Sequence, residues 1–164
     1  GPRIIELMGE IGDEAMVMAG LQREMLSTVN ARLDLGRKRS IQPQNNFQVT
    51  HYALLSIDEN VEIAQERCRN WFHYWNSLGL FSHALSAIGL PQFYFERPTD
   101  IPLTVLRQMC DLLFIAGTPE YCIYRLNELS ANGVQNVACL IPGSLPIVEK
   151  TFDLLGTSVL PNLR

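Results

Sequence analysis

The apolar residues of this chain alternate between helical spacing and short continuous runs. Residues 2–11 carry apolar side chains at helical spacing, with Pro2 in the first turn, where its missing N–H costs nothing. Residues 15–19 form a continuous apolar run that ends at Gly20, which is typical of a strand buried on both faces. The pattern then predicts a helix from Gln22 to about Lys38.

The middle of the chain repeats this order and then departs from it. The polar residues Gln42 to Asn46 predict a loop, and residues 47–57 a second strand. From Asp58 the spacing predicts one long helix to about Leu78. Residues 79–111 contain short helical pieces broken by glycine and proline, and we interpret them as an insertion packed against the main layer.

Strong capping signals restore the alternation near the C-terminus. Thr118 at the N-cap and Pro119 at the first helical position predict a helix that stops at Asn132-Gly133. Residues 134–141 predict a third strand, and a last helix follows. Strands near residues 15–19, 48–55 and 134–141, each followed by a helix, predict an α/β fold with a parallel sheet covered by helices.

Two features of this order predict that further βα units precede the chain. Three strands are few for a parallel sheet, and the chain opens with a helix where a βα unit begins with a strand.

Composition narrows the class of protein. The 164 residues are 47% hydrophobic and 18% charged, which suits one packed globular domain, and the net charge of −4 gives no basic surface for nucleic acid or an anionic membrane. No apolar run approaches the length of a membrane helix. The four cysteines form no close pair, which favours reduced, packed thiols in a cytoplasmic protein.

The residues that carry chemistry in other enzymes form no catalytic or metal-binding pattern here. No two of the three histidines have the spacing of metal ligands, and no Ser/His/Asp signature or Gly-rich phosphate loop is present. His51 falls within the second predicted strand, where a core or pocket-lining role is favoured over acid–base catalysis. We therefore predict no catalytic residue and no metal in this chain.

The aromatic run at residues 71–75 has two interpretations. It contains Trp71, Phe72, Tyr74 and Trp75 on more than one face of a predicted helix, so both sides of that helix should be covered. It either packs between the barrel and the insertion, or forms a subunit interface, where aromatic residues are enriched.

Four segments together resemble the luciferase-like oxidoreductases, especially their methylenetetrahydromethanopterin reductase branch. These are residues 1–13, residues 52–59, the helix start Ile115-Ala116-Gly117-Thr118-Pro119-Glu120, and the terminal Leu154-Leu155-Gly156. One position departs from the family pattern: the family usually has glycine after Asp13, and this chain has Glu14. Since glutamate does not easily adopt a positive φ, we expect a different turn there.

The resemblance implies a partial (β/α)8 TIM barrel. Residues 1–164 would be the C-terminal portion of a luciferase-like barrel domain, with its last three βα units and the insertion, residues 79–111, after the second. The parent would be an oxidoreductase or monooxygenase that uses the deazaflavin coenzyme F420 or FMN. The chain would be inactive alone and would pair with a missing N-terminal barrel half or with a second copy of itself.

The resemblance also implies a cofactor site. The backbone N–H groups of Gly1, Arg3 and Ile4 would bind the cofactor phosphate at a helix N-terminus, Pro2 would fix the turn, and Arg3 would add a cation. Met18 and Ala19, at the carboxyl end of the first strand, would shape the pocket, because ligands of such barrels sit at that end of the strands. The alternative function is a non-catalytic α/β module that associates through its aromatic helix and open sheet edges.

Overall fold

The structure, a computed structural model, describes residues 1–41 and 46–163. The strands and α-helices of these ranges follow in this order: α1 (Pro2–Ile11), β1 (Glu14–Val17), α2 (Arg23–Arg37), β2 (Gln48–Ile57), α3 (Val61–Glu66), α4 (Arg69–Ser77), α5 (Ser82–Ala87), α6 (Leu103–Leu113), β3 (Ile115–Gly117), α7 (Pro119–Ala131), β4 (Asn136–Leu140) and α8 (Leu145–Leu154). Short π- and 3-10 turns follow α8, over Leu155–Val159 and Leu160–Asn162. None of the described helices combines the length and apolar character that a membrane span requires.

The sheet is parallel throughout, with β2 at its centre. β1 pairs with residues 48–51 of β2, and β4 pairs with residues 50–54. Because β1 and β4 share partners in β2, they lie on its opposite sides. The three predicted strands and their parallel order are confirmed, as is a mixed α/β architecture that fits part of a barrel.

The structure corrects the sequence interpretation at three points. The first strand ends at Val17 rather than at residue 19. The single helix predicted from Asp58 to Leu78 is two helices, α3 and α4, with the break at Arg67-Cys68. A strand that was not predicted, β3, pairs with residues 55–57 of β2. Of the predicted loop, residues 42–45 lie outside the described residues.

The two faces of the sheet are covered by different helices. On one face, Ala15 and Val17 of β1 pack with α1 and α2, and Ala53, Leu55 and Ile57 of β2 pack with α7 and with Val159. On the other face, Leu54 packs with α4, α5 and α6. Helices α1, α2 and α7 therefore cover one face, and the helices of residues 69–113 cover the carboxyl end of the opposite face.

Close contact between α1 and α2 fixes the position of the first helix. A Cβ at Gly9 would lie 2.3 Å from the carbonyl oxygen of Leu33, and one at Gly36 would lie 1.9 Å from the carbonyl oxygen of Glu6. The side chain of Glu6 also binds Arg32, at 2.6 Å, across the same contact. This contact holds α1 against α2 and thereby positions the N-terminus of α1 beside the end of β1.

Candidate functional site

A cavity of about 360 Å³ opens at the N-terminus of α1, beside the carboxyl end of β1. Its third wall is the segment that joins α4 to α5 and the first turn of α5. Its lining residues are Gly1, Ile4, Ile5, Met8, Met16, Val17, Met18, Ala19, Leu78, Gly79, Leu80, Ser82, His83 and Ala84. The cavity thus lies at the end of the sheet where barrels of this type bind ligands.

Four of the six predicted cofactor-binding residues meet in this cavity. Gly1 and Ile4 line it from α1, and Met18 and Ala19 line it from the end of β1. Pro2 and Arg3 do not line it, and the side chain of Arg3 is exposed.

The backbone donors at the start of α1 differ in one respect from the expectation. The amide of Ile4 donates to the carbonyl oxygen of Gly1 at 3.0 Å, so it is not free, and the amide of Ile5 donates to the same oxygen at 3.3 Å. The expectation that Ile4 supplies a free N–H is therefore wrong. The amide of Arg3 lies in the first helical turn, where no intrahelical acceptor exists. Together with the nitrogen of Gly1, it remains a backbone donor that an anion would meet here, aided by the dipole of a ten-residue helix.

The walls of the cavity are mainly apolar. Ile4 and Met16 are 63% and 59% exposed, and Met18 lies beside them. Flexible methionine side chains adapt to flat ring systems and make favourable contacts with them. The cavity therefore offers apolar surface beside a helix N-terminus.

Sequence reasoning missed His83, the lining side chain with a free polar atom. Its Nε2 is buried and has no hydrogen-bond partner among the described residues. The other polar side chain of the lining, Ser82, donates to the carbonyl oxygen of Gly79 at 2.7 Å. His83 lies in a segment without a periodic pattern, so nothing in the sequence connected it with α1.

The remaining polar groups near the strands do not extend this site. His51 is 3% exposed within β2, does not line the cavity, and burial lowers the pKa of its imidazole. Asp58, just beyond β2, is 4% exposed and is already paired with Arg67 and Lys150. Within residues 1–41 and 46–163, no group of three His, Cys, Asp or Glu side chains is arranged to hold a metal ion.

The turn before Glu14 contains no left-handed backbone at a residue other than glycine. No described residue other than glycine has a positive φ. Gly12 ends α1 in an extended conformation, and Glu14 is the exposed first residue of β1. Glutamate is thus accommodated without backbone strain.

Comparison with known proteins gives similar chains over the whole length of this one. It is 25% identical over 176 residues to the 5,10-methylenetetrahydromethanopterin reductase of Archaeoglobus fulgidus, covering 100% of this chain and 52% of the relative. It is 25% identical over 180 residues to the enzyme of the same name from Methanolobus tindarius, covering 98% and 51%. The chain therefore spans about half the length of these relatives. No protein-family model matches it.

Solved structures share the fold. The coenzyme F420-dependent tetrahydromethanopterin reductase from Methanopyrus kandleri has a TM-score of 0.73 at 22% identity, covering 100% of this chain and 49% of that structure. An F420-dependent secondary alcohol dehydrogenase, in complex with an F420-acetone adduct, has a TM-score of 0.68 at 15% identity, covering 100% and 47%. The oxygenating constituent of 3,6-diketocamphane monooxygenase from Pseudomonas putida, in complex with FMN, has a TM-score of 0.56 at 13% identity, covering 98% and 46%. The resemblance drawn from the sequence is confirmed. This chain is similar to methylenetetrahydromethanopterin reductases over about half of their length, and it has the fold of the corresponding part of luciferase-like oxidoreductases.

Proposed function

We propose that the chain is part of a deazaflavin- or flavin-dependent oxidoreductase and forms one wall of its cofactor site. The observation that supports this is the cavity in which Gly1 and Ile4 of α1 meet Met18 and Ala19 of β1. Two of the structural neighbours are F420-dependent and a third is in complex with FMN, and both cofactors combine a phosphate with a planar ring system. When bound, such a cofactor supplies hydride transfer to or from a small organic substrate.

The residues of this chain would hold and orient the cofactor. The free amide of Arg3 and the dipole of α1 favour a phosphate at the helix start, and the exposed guanidinium of Arg3 adds a positive charge nearby. Met16 and Met18 offer apolar contact to a ring, and His83 Nε2 offers a hydrogen bond. His83 is the one lining residue with an ionisable side chain, so the lining holds no pair of acid and base side chains, and we propose that the chain does not turn over substrate by itself.

Cofactor titration tests this proposal. Coenzyme F420 and FMN are added separately to the labelled protein, and the backbone amide shifts of Arg3, Ala19 and His83 are followed by NMR. Saturable shifts that weaken in Arg3→Ala support the site. The matched control is Arg23→Ala, which removes an exposed arginine from the first turn of α2. Absence of shifts with both cofactors, or equal weakening in both variants, contradicts the proposal.

We further propose that the chain works with a partner, which is the missing barrel half or a second copy of this chain. Ile4, Leu7 and Ile11 form an exposed apolar stripe on α1, and Met16 is exposed on β1 beside it. The outer edges of β1 and β4 pair with no other described strand, and open edges favour further strand pairing. Light scattering distinguishes the two partners. A dimer supports a second copy of the chain, and a monomer that gains mass only with the complementary half of a relative supports the missing barrel half.

The unpaired outer edges of β1 and β4 also favour the alternative function, a non-catalytic association module. Its other element, the aromatic helix, packs largely within the chain. Phe72 is fully buried and Trp75 is 6% exposed, while Tyr74 is 55% exposed. The packing interpretation of these aromatic residues therefore has the stronger support, and an association module would have to use its sheet edges. Self-association without cofactor binding would favour the module over the oxidoreductase.

We also propose a cytoplasmic location for the protein. Cys68, Cys110, Cys122 and Cys139 are all free, and three of them are buried. Reduced, packed thiols suit a reducing compartment. Fractionation of the source cells followed by detection of the protein tests this proposal, and recovery outside the cytoplasm contradicts it.

A further inference from the structure

A second cavity, of about 430 Å³, lies between α4 and an extended segment over residues 93–96. Its lining residues are His73, Asn76, Ser77, Phe93, Tyr94, Phe95 and Glu96. It shares no lining residue with the cavity at α1. The proposed cofactor site does not use it.

Asn76 supplies a buried acceptor without a partner. Its residue is 4% exposed, and its Nδ2 donates to the carbonyl oxygen of Phe93 at 2.8 Å. That bond fixes the orientation of the amide, because a carbonyl oxygen accepts only from the nitrogen. The Oδ1 of Asn76 is consequently left buried with no hydrogen-bond partner among the described residues. A buried acceptor in this state is stabilised by a ligand that donates.

The other polar side chains of the α4 wall also donate their hydrogen bonds to backbone carbonyl oxygens. His73 Nε2 lies 3.0 Å from the carbonyl oxygen of Phe95, so that nitrogen carries the proton. Ser77 Oγ donates to the carbonyl oxygen of Tyr74 at 2.7 Å. What this wall still offers to a ligand is acceptor capacity.

The opposite wall adds negative charge and aromatic surface. Glu96 is exposed and has no ion-pair partner among the described residues, while the neighbouring Arg97 is occupied by Asp100 at 2.9 Å. The rings of Phe93 and Phe95 stack with centroids 6.1 Å apart, and Tyr94 is 83% exposed. Aromatic faces attract cations, and a carboxylate beside them strengthens this preference.

We propose that this cavity binds a small organic cation rich in N–H donors, namely an alkylguanidinium group. Such a group donates to Asn76 Oδ1, pairs with Glu96 and lies flat against the aromatic rings, a combination that a guanidinium makes better than an ammonium. The group has two sources, a free guanidino compound and an arginine side chain of a peptide.

NMR titration with n-butylguanidinium chloride tests the proposal on the whole chain. Saturable shifts at the Asn76 side-chain amide and the Tyr94 backbone amide are expected at millimolar concentrations. Two comparison probes separate the contributions: tetramethylammonium has the charge without N–H donors, and butylurea has donors without the charge. Both are expected to bind about fivefold or more weakly, in line with the loss of one ion pair or hydrogen bond. A peptide with one arginine, acetyl-Gly-Arg-Gly-amide, that binds more tightly than butylguanidinium identifies a peptide source, and weaker binding identifies a free compound.

Variants on both walls complete the test. Glu96→Gln is at the surface and should fold normally, and it is expected to weaken butylguanidinium binding about two- to fivefold. Glu149→Gln removes an exposed glutamate from α8 and should leave binding unchanged. Asn76→Leu is expected to weaken binding about tenfold or more, with its fold checked by the amide spectrum. No saturable shift with butylguanidinium, equal binding of tetramethylammonium, or unchanged binding in Glu96→Gln overturns the proposal.

Discussion

The Nζ of Lys150 lies 3.0 Å from the Oδ2 of Asp58, which joins α8 to the end of β2 across 92 positions of the chain. Asp58 also accepts from Arg67 at 2.5 Å and from the backbone N–H of Asn60 at 3.2 Å. A buried carboxylate with this many donors is held in its ionised form. The cluster therefore fixes the start of α3 and the middle of α8 against the same end of the sheet.

Removal of either cation should destabilise the fold by a different amount. Lys150 is partly exposed, so Lys150→Met should lower the free energy of unfolding by about 1 kcal/mol. The side chain of Arg67 is 14% exposed and also donates to the carbonyl oxygen of Ile57, so Arg67→Met should lower it by about 2 kcal/mol or more. Urea unfolding measures both. Lys38→Met, an exposed lysine, is the control, and equal effects of all three variants would contradict the assignment.

The same cluster should make stability fall in acid. Burial raises the pKa of Asp58, but the bonds from Lys150, the Asn60 amide and Arg67 outweigh it and lower the pKa below its ordinary value of 3.8. A carboxyl with a lowered pKa in the folded state contributes stability that is present above the unfolded value and lost as pH falls through the folded one. Unfolding free energies measured from neutral pH to about pH 3 should decline less steeply in Asp58→Asn than in the wild type. Identical slopes would exclude this role of Asp58.

The sequence predicted those features of the fold that depend on local patterns. The apolar run at residues 15–19 located β1 to within two residues, and the capping signal at Thr118-Pro119 correctly placed the start of α7, because burial and capping act on neighbouring residues. β3 was not predicted, since its three residues form a strand only by pairing with residues 55–57 of β2. The long helix before Leu78 was not expected to break at Arg67, whose side chain turns back to bind Asp58.

The candidate sites, like the fold, could be predicted only in part, because most of their contacts join residues that are distant in sequence. Gly1 and Ile4 could be associated with Met18 and Ala19 only through the family resemblance, since no local pattern joins α1 to the end of β1. Neither a local pattern nor the family resemblance indicated His83, which lines the cavity only because of tertiary packing. The sequence also could not predict that Asn76 Oδ1 has no hydrogen-bond partner, because this depends on where the carbonyl oxygen of Phe93 lies.

Gly36→Ala should disrupt the contact between α1 and α2. The added Cβ would lie 1.9 Å from the carbonyl oxygen of Glu6, a backbone atom that moves only if the helices separate. Overpacking of this kind costs about 1–3 kcal/mol or more, which exceeds the gain of about 1 kcal/mol from the better helix propensity of alanine. Gly156→Ala is the matched control, because nothing lies within 4 Å of its added Cβ. Thermal unfolding should show a lower Tm for Gly36→Ala alone, and equal Tm values would refute the contact.

Thr151→Val should be neutral or stabilising. Thr151 is fully buried in α8, and its Oγ1 has no hydrogen-bond partner among the described residues. Valine has nearly the same shape, so the substitution removes an unsatisfied polar atom without opening a void. We expect the free energy of unfolding to stay equal or rise by about 1 kcal/mol, as measured in urea. A clear loss of stability would mean that the hydroxyl has a partner in solution.

His51 should produce a second pH dependence, closer to neutrality than that of Asp58. Burial within β2 lowers the pKa of its imidazole below the ordinary value of 6.5, and its Nδ1 has no partner among the described residues. The folded state therefore resists protonation, whereas the unfolded chain binds a proton as the pH falls below about 6.5. Because the unfolded state then binds more protons, stability should decrease from about pH 7 downward, by at most about 1.4 kcal/mol per pH unit for this one group. The decrease should level off once the pH falls below the folded pKa.

His51→Gln removes the titrating group, so its unfolding free energy should change less between neutral pH and about pH 5 than that of the wild type. His73→Gln is the control for the loss of a histidine elsewhere, since its Nε2 is already bound to the carbonyl oxygen of Phe95. If the wild type and His51→Gln respond equally to pH in this range, His51 is not the buried neutral histidine described here.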